Sequence, residues 1–396
     1  MKPTVQPLDV SDTNVSHVVI ELFGGDNNLS SFVLEDLKEM AAGNKGTFAV
    51  LGLADFAEEG GRIVEISPTK GLRTIEELGE IDTGDPETLA SFVARALVTY
   101  PKARHRALGF WDHGTGVFDE TDANEVLLDR SLRGVTRRSR SSSHPARRLF
   151  IPKAKIAADS RVRAMLHDDT SGGVLTNVEA GAVIAAAFAR AGYKKKLDLL
   201  FSDTCLNGMI EVLEQFKPFA TVVVGSEDLE PGDGWDYERL FRAMSDKPPA
   251  RASTWGRIAV DAFDEGYRNR PNQHPCTLAA FRSRNMITPR FAELVKAAKP
   301  MKRNGYRMLN DIRDFAKLVS AEASGPLKVA ADNLVDAFDG ARIKSTAMGG
   351  DVQAAEGLAF WFPSDKRAFA DTAGTYRRLE FDRAVGWADY LSAFLT

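Results

Sequence analysis

Short apolar runs rich in β-branched residues alternate with longer amphipathic segments through the first half of the chain. HVVIELF (17–23) and TFAVLGLADF (47–56) read as buried strands, and GRIVEIS (61–67) as a partner beside the second. Between them LSSFVLEDLKEM (29–40) carries apolar residues at helical spacing, with Asn27 or Asn28 as its cap. DPETLASFVARALVTYP (85–101) predicts a helix capped by Asp85, opened by Pro86 and stopped by Pro101. HRALGFWDHGTG (105–116) is a strand running into a glycine-rich loop. LTNVEAGAVIAAAFARAG (175–192) predicts a helix capped by Thr176 or Asn177 and ended by Gly192. KLDLLFSDTCLNGMIEVLEQF (196–216) repeats the design of strand, short polar turn and helix, with Cys205 opening the helix, and FATVVVGSED (219–228) is one more strand. Alternation of this kind implies parallel pairing and a sheet covered on both faces, the α/β class.

From residue 251 the pattern turns mostly helical, in TWGRIAVDAFDEGYRN, TPRFAELVKAAKPM and GYRMLNDIRDFAKLVSAEA. CTLAAFR (276–282) and GLAFWFP (357–363) are strand-like and able to extend the sheet. Residues 133–163 break the pattern: ten Lys or Arg stand there against one acid, Asp159. RRSRSSSHPARR cannot bury apolar area, so a mobile segment is expected, on its own a solvated linker or a nucleic-acid patch. The chain divides accordingly into 1–132, the basic stretch 133–163, 164–250 and a helix-rich 251–396.

Charge and cysteine content narrow the classes. A net charge of −4 gives the whole chain no reason to bind nucleic acid, and two cysteines, Cys205 and Cys276, build no disulfide framework. The opening MKPTVQPLDVSDTNVS lacks the apolar core of a signal peptide, and no stretch is long and apolar enough to span a bilayer. A cytoplasmic protein without membrane attachment is the expectation.

Two strand ends carry candidate chemistry. FWDHGTG sets His113 just past one apolar strand and LLFSDTC sets Cys205 just past another. Side chains there line the ligand crevice of an open α/β sheet. A thiol and an imidazole meeting in it suffice for nucleophilic catalysis, and the N-terminal end of the following helix would lower the thiol pKa further. Gly114 lets a backbone N–H approach, to hold an oxyanion together with the amide of Cys205. Against this stands the plainer role of each residue alone, Cys205 as a small buried hydrophobe and His113 as a structural imidazole. The other histidines fit less well: His17 and His105 open strands, His144 lies in the basic stretch, and His167 and His274 fall in irregular segments. Neither CxxC nor HExxH is present, so no metal centre is read from spacing.

GGDNNL (24–29), ELGEIDTGDPETL (77–89), FWDHGTG (110–116), HDDTSGGVLTNVE (167–179), FSDTCLNGMIEV (201–212), GSEDLEPGDGWDY (225–237) and GLAFWFP (357–363) together resemble the clostripain family, in content and in order. The HG and D-x-C pair is shared with the wider caspase, legumain and gingipain clan. The resemblance implies a caspase-like three-layer sandwich with a mostly parallel central sheet and a C-terminal helical and strand extension. It implies a cysteine endopeptidase with a Cys205–His113 dyad and no required third member.

It further implies a specificity pocket in which Asp203 and Asp233 receive an Arg or Lys side chain of a polypeptide substrate, with Ser226 and Glu227 along the groove wall. Asp203 has a second reading as a helix cap, Asp233 as a turn residue between glycines, and Trp235 as core or cleft. Relatives are cut between the His and Cys strands, so self-cleavage within 133–155 is expected, at Arg147 or Arg148 or else Lys153, giving a monomer or a processed two-chain form. Some relatives require Ca2+; Asp168 and Asp169 either hold such an ion or form a solvated turn. The rival reading is a catalytically silent module that binds Arg-rich segments.

Overall fold

The computed structural model describes residues 5–46, 48–117, 165–231, 233–268, 275–298, 309–349, 352, 355–363 and 366–395. Arg147, Arg148 and Lys153, with His144 and His274, lie outside the described residues.

The strands, in chain order, are β1 (His17–Phe23), β2 (Phe48–Ala54), β3 (Gly61–Ser67), β4 (Gly71–Gly79), β5 (His105–Trp111), β6 (Leu166–His167), β7 (Val174–Leu175), β8 (Leu197–Asp203), β9 (Ala220–Gly225), β10 (Cys276–Arg282), β11 (Leu309–Asp311), β12 (Arg342–Met348) and β13 (Ala359–Trp361). Nine of them form one sheet in the order β12-β10-β9-β8-β5-β1-β2-β3-β4. The five central strands, β9, β8, β5, β1 and β2, run parallel, and an antiparallel pair closes each edge.

Strand alternation builds the layers. Val18, Ile20 and Leu22 of β1 enter one core with Leu89, Phe92 and Val93 of α2 (Pro86–Thr99) and Val183 and Ile184 of α3 (Asn177–Ala191). Val19 and Phe23 enter the other, with Val33, Leu37 and Met40 of α1 (Ser30–Gly43), Phe241 of α5 (Tyr237–Asp246) and Trp255 of α6 (Ala252–Tyr267). Each fully buried Leu, Val or Phe contributes about 1.5–3 kcal/mol, and a one-residue slip of β1 would send each side chain into the opposite core and break the packing of both. This is the caspase-like three-layer α/β sandwich. The caps at Asp85 and Thr176 form as expected, Asp85 accepting from Glu87 and Thr88 and Thr176 making a capping box with Glu179.

Residues 276–282 extend the main sheet as expected, and 342–348 add a further edge strand beyond them. Two expectations change. GLAFWFP does not extend that sheet: β13 pairs with β11 in a separate two-stranded sheet, because β12 occupies the edge beyond β10 and Phe360 packs on Phe291, Phe315 and Trp387. Asn27 and Asn28 do not cap α1, whose N-cap position is Leu29; both side chains serve the adjoining loops instead.

Candidate active site

The C-terminal ends of β1, β5 and β8 lie side by side, where strand order reverses between β1 and β5. Buried Asp112 ties the loops there together: its carboxylate accepts from the backbone of His113 at 2.5 Å, from that of His167 at 2.5 Å and from Asn27 Nδ2 at 2.9 Å. Asn27 Nδ2 also reaches the carbonyl of Gly24, fixing the turn after β1.

The turn after β8 aims Cys205. Leu206 takes a left-handed φ of 63°, a costly conformation for a branched side chain, and is held by burial and by donating its N–H to the carbonyl of Asp228 at 3.0 Å. Gly114 is packed so closely that a Cβ there would lie 2.3 Å from the carbonyl oxygen of Cys205 and 2.9 Å from its amide nitrogen. Only glycine lets the two loops meet.

Helix α4 (Ile210–Phe216) begins well beyond Cys205, with Met209 at its N-cap position. The thiol is therefore not at a helix N-terminus, and the expected lowering of its pKa does not occur. Burial pushes the thiol up to about 11, against the Glu230 N–H that donates to Sγ at 3.3 Å. Burial, and then the neighbouring His167, push His113 down to about 3. Thiol and imidazole are both neutral in this structure. Nε2 of His113 faces Oδ1 of Asn28 at 2.8 Å; with that oxygen as acceptor Nε2 carries the proton, and Nδ1 is the basic nitrogen. The His167 ring stands edge-on to that of His113, centroids 6.4 Å apart.

His113 and Cys205 line one pocket with Leu29, Phe32, Asp36, Trp111, Asp203, Glu230 and Asp233. The Asp203 carboxylate accepts from Tyr237 Oη at 2.9 Å and from the backbone of Trp235 at 3.3 Å. It does not cap α4. Trp111 donates to Asp36 at 2.7 Å and Trp235 to Glu230 at 2.9 Å, so Trp235 belongs to the core with its ring nitrogen turned to the pocket acids. Beneath them Glu21 of β1 is fully buried, in space that Gly109 leaves open. Burial, followed by the charge of Asp203, raises Asp36 to about 9. Burial raises Asp203 as well, and burial followed by the charge of Asp203 raises Glu230. Among the described residues the pocket lining contains no Lys or Arg.

Ser226 and Glu227 are not on this wall. Ser226 is fully buried and bonded to Thr277 at 2.8 Å, while Glu227 accepts from Gly357 at 2.8 Å and faces Asp311, joining β9 to the β11–β13 sheet. Four pocket or neighbouring residues had only faint sequence signals: Asp36 on an apolar helix face, Glu21 inside an apolar strand, Glu230 among several acids, and Asn28 in a turn. Asp168 is buried, whereas Asp169 is exposed.

Cys205 and His113 line one cleft of this sheet, and the family model that matches the chain defines the class as cysteine peptidase. The family model described as the clostripain family matches residues 22–130 and 153–325, and the chain belongs to that family. It is similar in fold to a secreted C11 cysteine protease from Bacteroides thetaiotaomicron in complex with an irreversible peptide inhibitor (15% identity, TM-score 0.67, covering 94% of this chain and 99% of that one). A second structure of a secreted C11 protease from that organism, called iotapain, is 11% identical with a TM-score of 0.67 over 94% and 99% of the two chains. An inactive zymogen C11 protease from Parabacteroides distasonis is 16% identical, with a TM-score of 0.66 over 95% and 99%. No curated protein matches. The expected cytoplasmic location is corrected by these likenesses, since two of the similar proteins are secreted. Among the described residues no helix is long and apolar enough to cross a membrane.

Proposed function

We propose that this cysteine peptidase cleaves polypeptides after Arg or Lys, with Cys205 as nucleophile and His113 as general base and acid. The thiol transfers its proton to His113 as Sγ attacks the carbonyl carbon, and the amides of Gly114 and Cys205 receive the oxyanion. His113 returns the proton to the leaving amine. Water, deprotonated by His113, then breaks the thioester and frees Cys205. Asn28 fixes the His113 ring throughout.

One observation carries the specificity: Asp36, Asp203, Glu230 and Asp233 line the same hole as the thiol, and among the described residues its lining holds no cation. Like charges in a desolvated slot are costly until a guanidinium or ammonium enters. Trp111 and Phe32 would flank its aliphatic stem. The basic stretch 133–163 offers such side chains in the same chain. We read it as the activation segment, cut by the enzyme itself at Arg147 or Arg148, with Lys153 as second choice.

Release of aminomethylcoumarin from Arg, Lys, Leu and Asp peptides, by the wild type and Cys205→Ala, tests the reading. Turnover of the Arg and Lys peptides by the wild type alone is expected. Equal turnover of the Leu peptide would remove the specificity, and none at all, with Arg peptides bound, would favour the silent module. A mass spectrum of the incubated protein should show a cut in 133–155 that Cys205→Ala lacks.

A further inference from the structure

The end of the sheet opposite the pocket carries the opposite charge. The N-terminal ends of β5, β8 and β9 and the C-terminal end of β10 lie side by side there, since β8 pairs parallel with β5 and β9 while β10 runs antiparallel to β9. The loops at these ends carry Lys102 and Arg104 before β5, Lys194, Lys195 and Lys196 before β8, and Arg284 after β10, all exposed. At the ordinary strand spacing of about 4.8 Å the row is about 15 Å long. Among the described residues none of the six is in an ion pair. Two nearby acids are already taken, Asp198 by His105 at 3.1 Å and Glu214 by Lys217 at 3.0 Å.

Cations gathered without counter-ions repel one another. Burial, and then the charges of Lys217 and Arg284, hold the Lys196 ammonium below its ordinary pKa, and its Nζ donates to the carbonyl of Lys217 instead of a carboxylate. An anionic surface laid against this face would relieve that repulsion. A large apolar side chain stands in the same row: Met286, two residues beyond Arg284 and at the N-cap position of the helix Ile287–Ala297, is 50% exposed.

We propose that this end of the sheet docks on an anionic lipid surface, with the six cations against headgroup phosphates and Met286 entering the acyl boundary. Each Lys or Arg near such a surface raises affinity by roughly fivefold, and an apolar side chain among them adds a contact that phosphates alone do not reward. Single-stranded nucleic acid would call for exposed aromatic rings on which bases stack. Among the described residues the exposed large apolar side chains are Leu34, Met286, Leu318 and Val329, none of them aromatic. Docked in this way, the chain holds Cys205 and His113, past the other ends of β8 and β5, away from the lipid and open to polypeptides. No described helix is long and apolar enough to cross a membrane, so the contact is peripheral. Docking does not depend on the activity of Cys205.

The test uses the full chain as Cys205→Ala, so that self-cleavage plays no part, in co-sedimentation with vesicles of phosphatidylcholine alone or mixed with phosphatidylglycerol. Binding to the mixed vesicles only is expected, and it should vanish at about 0.5 M salt, where screening acts within about 4 Å. Lys194→Glu, Lys195→Glu and Arg284→Glu combined should weaken it by about a hundredfold or more with the melting temperature kept, and Met286→Ser by about threefold to tenfold. Replacing Arg137, Arg138, Arg147 and Arg148 by Gln should leave most of the binding, which separates this face from the basic stretch 133–163. Should the triple variant not fold, Lys102→Glu with Arg104→Glu asks the same question at the other end of the row. No binding by the parent chain, equal binding to phosphatidylcholine alone, or a folded variant of the row that binds as well as the parent would overturn the proposal. So would loss of binding on replacing the four arginines, or tighter binding to single-stranded RNA than to the mixed vesicles.

Discussion

The side-chain oxygen of Asn28 lies 2.8 Å from Nε2 of His113, so a turn residue after β1 orients an imidazole placed after β5. Without it the ring would sample other rotamers and tautomers. Asn28→Ala should lower kcat by about tenfold to a hundredfold while leaving KM for an Arg peptide nearly unchanged, since Asn28 is not among the residues that line the acidic pocket. Steady-state kinetics decide; a raised KM with kcat intact would make Asn28 a binding residue instead.

Much of this was legible in the chain. The five parallel strands were visible as apolar runs, because strands buried on both faces need no polar alternation. The strand-end placement of His113 and Cys205 follows from that reading. What stayed hidden was lateral. Edge strand β4, GLRTIEELG, is half-exposed and has no apolar face to betray it, and β12, RIKSTAM, is nearly as polar. Asn28, Asp36 and Glu230 come near His113 and Cys205 only through strand order, which no local pattern encodes. Ser226 and Glu227 were misplaced for a related reason. Proximity to a strand end in sequence does not say which way the side chain faces.

Burial makes Asp36, Asp203 and Glu230 hold their protons more tightly, and a bound cation should help to expel them. Burial raises Asp36 to about 9 and raises the Asp203–Glu230 pair. A guanidinium favours the ionised forms, so the bound-state pKa values are lower than the free ones and affinity rises with pH until the free pocket ionises. The Ki of benzamidine should fall between pH 6 and 9, by up to about tenfold per pH unit for each proton released. Asp36→Asn should flatten that slope. A Ki independent of pH in the wild type would mean that the carboxylates are already charged.

A neutral thiol beside a neutral imidazole makes a further claim on rates. Were the pair a thiolate and an imidazolium, alkylation would stay fast down to mildly acidic pH. With Cys205 at about 11 and His113 at about 3, the thiolate fraction instead grows with pH. Inactivation by iodoacetamide, which needs no pocket contact, should therefore accelerate by nearly tenfold per pH unit from 6 to 9. A plateau below pH 7 would show a preformed ion pair.

Glu211 gives the fold a pH dependence of its own. Fully buried on α4, its Oε1 accepts from Trp361 N–H at 2.9 Å and from Tyr376 Oη at 2.7 Å, fastening β13 and the helix Lys366–Tyr376 to the central layer. Burial raises its pKa from 4.5 to about 7. A carboxyl raised on folding binds its proton more tightly in the native state, so its contribution is whole below pH 4.5 and drains away as pH climbs toward 7. Glu211→Gln keeps the accepting oxygen and removes the charge. It should match the wild type near pH 4.5 and exceed it by roughly 2–3 kcal/mol at pH 8, in urea melts of Cys205→Ala at both pH values. Equal stability of the two proteins at pH 8 would show that Glu211 ionises inside the fold at no cost, which its two donors would then have to explain.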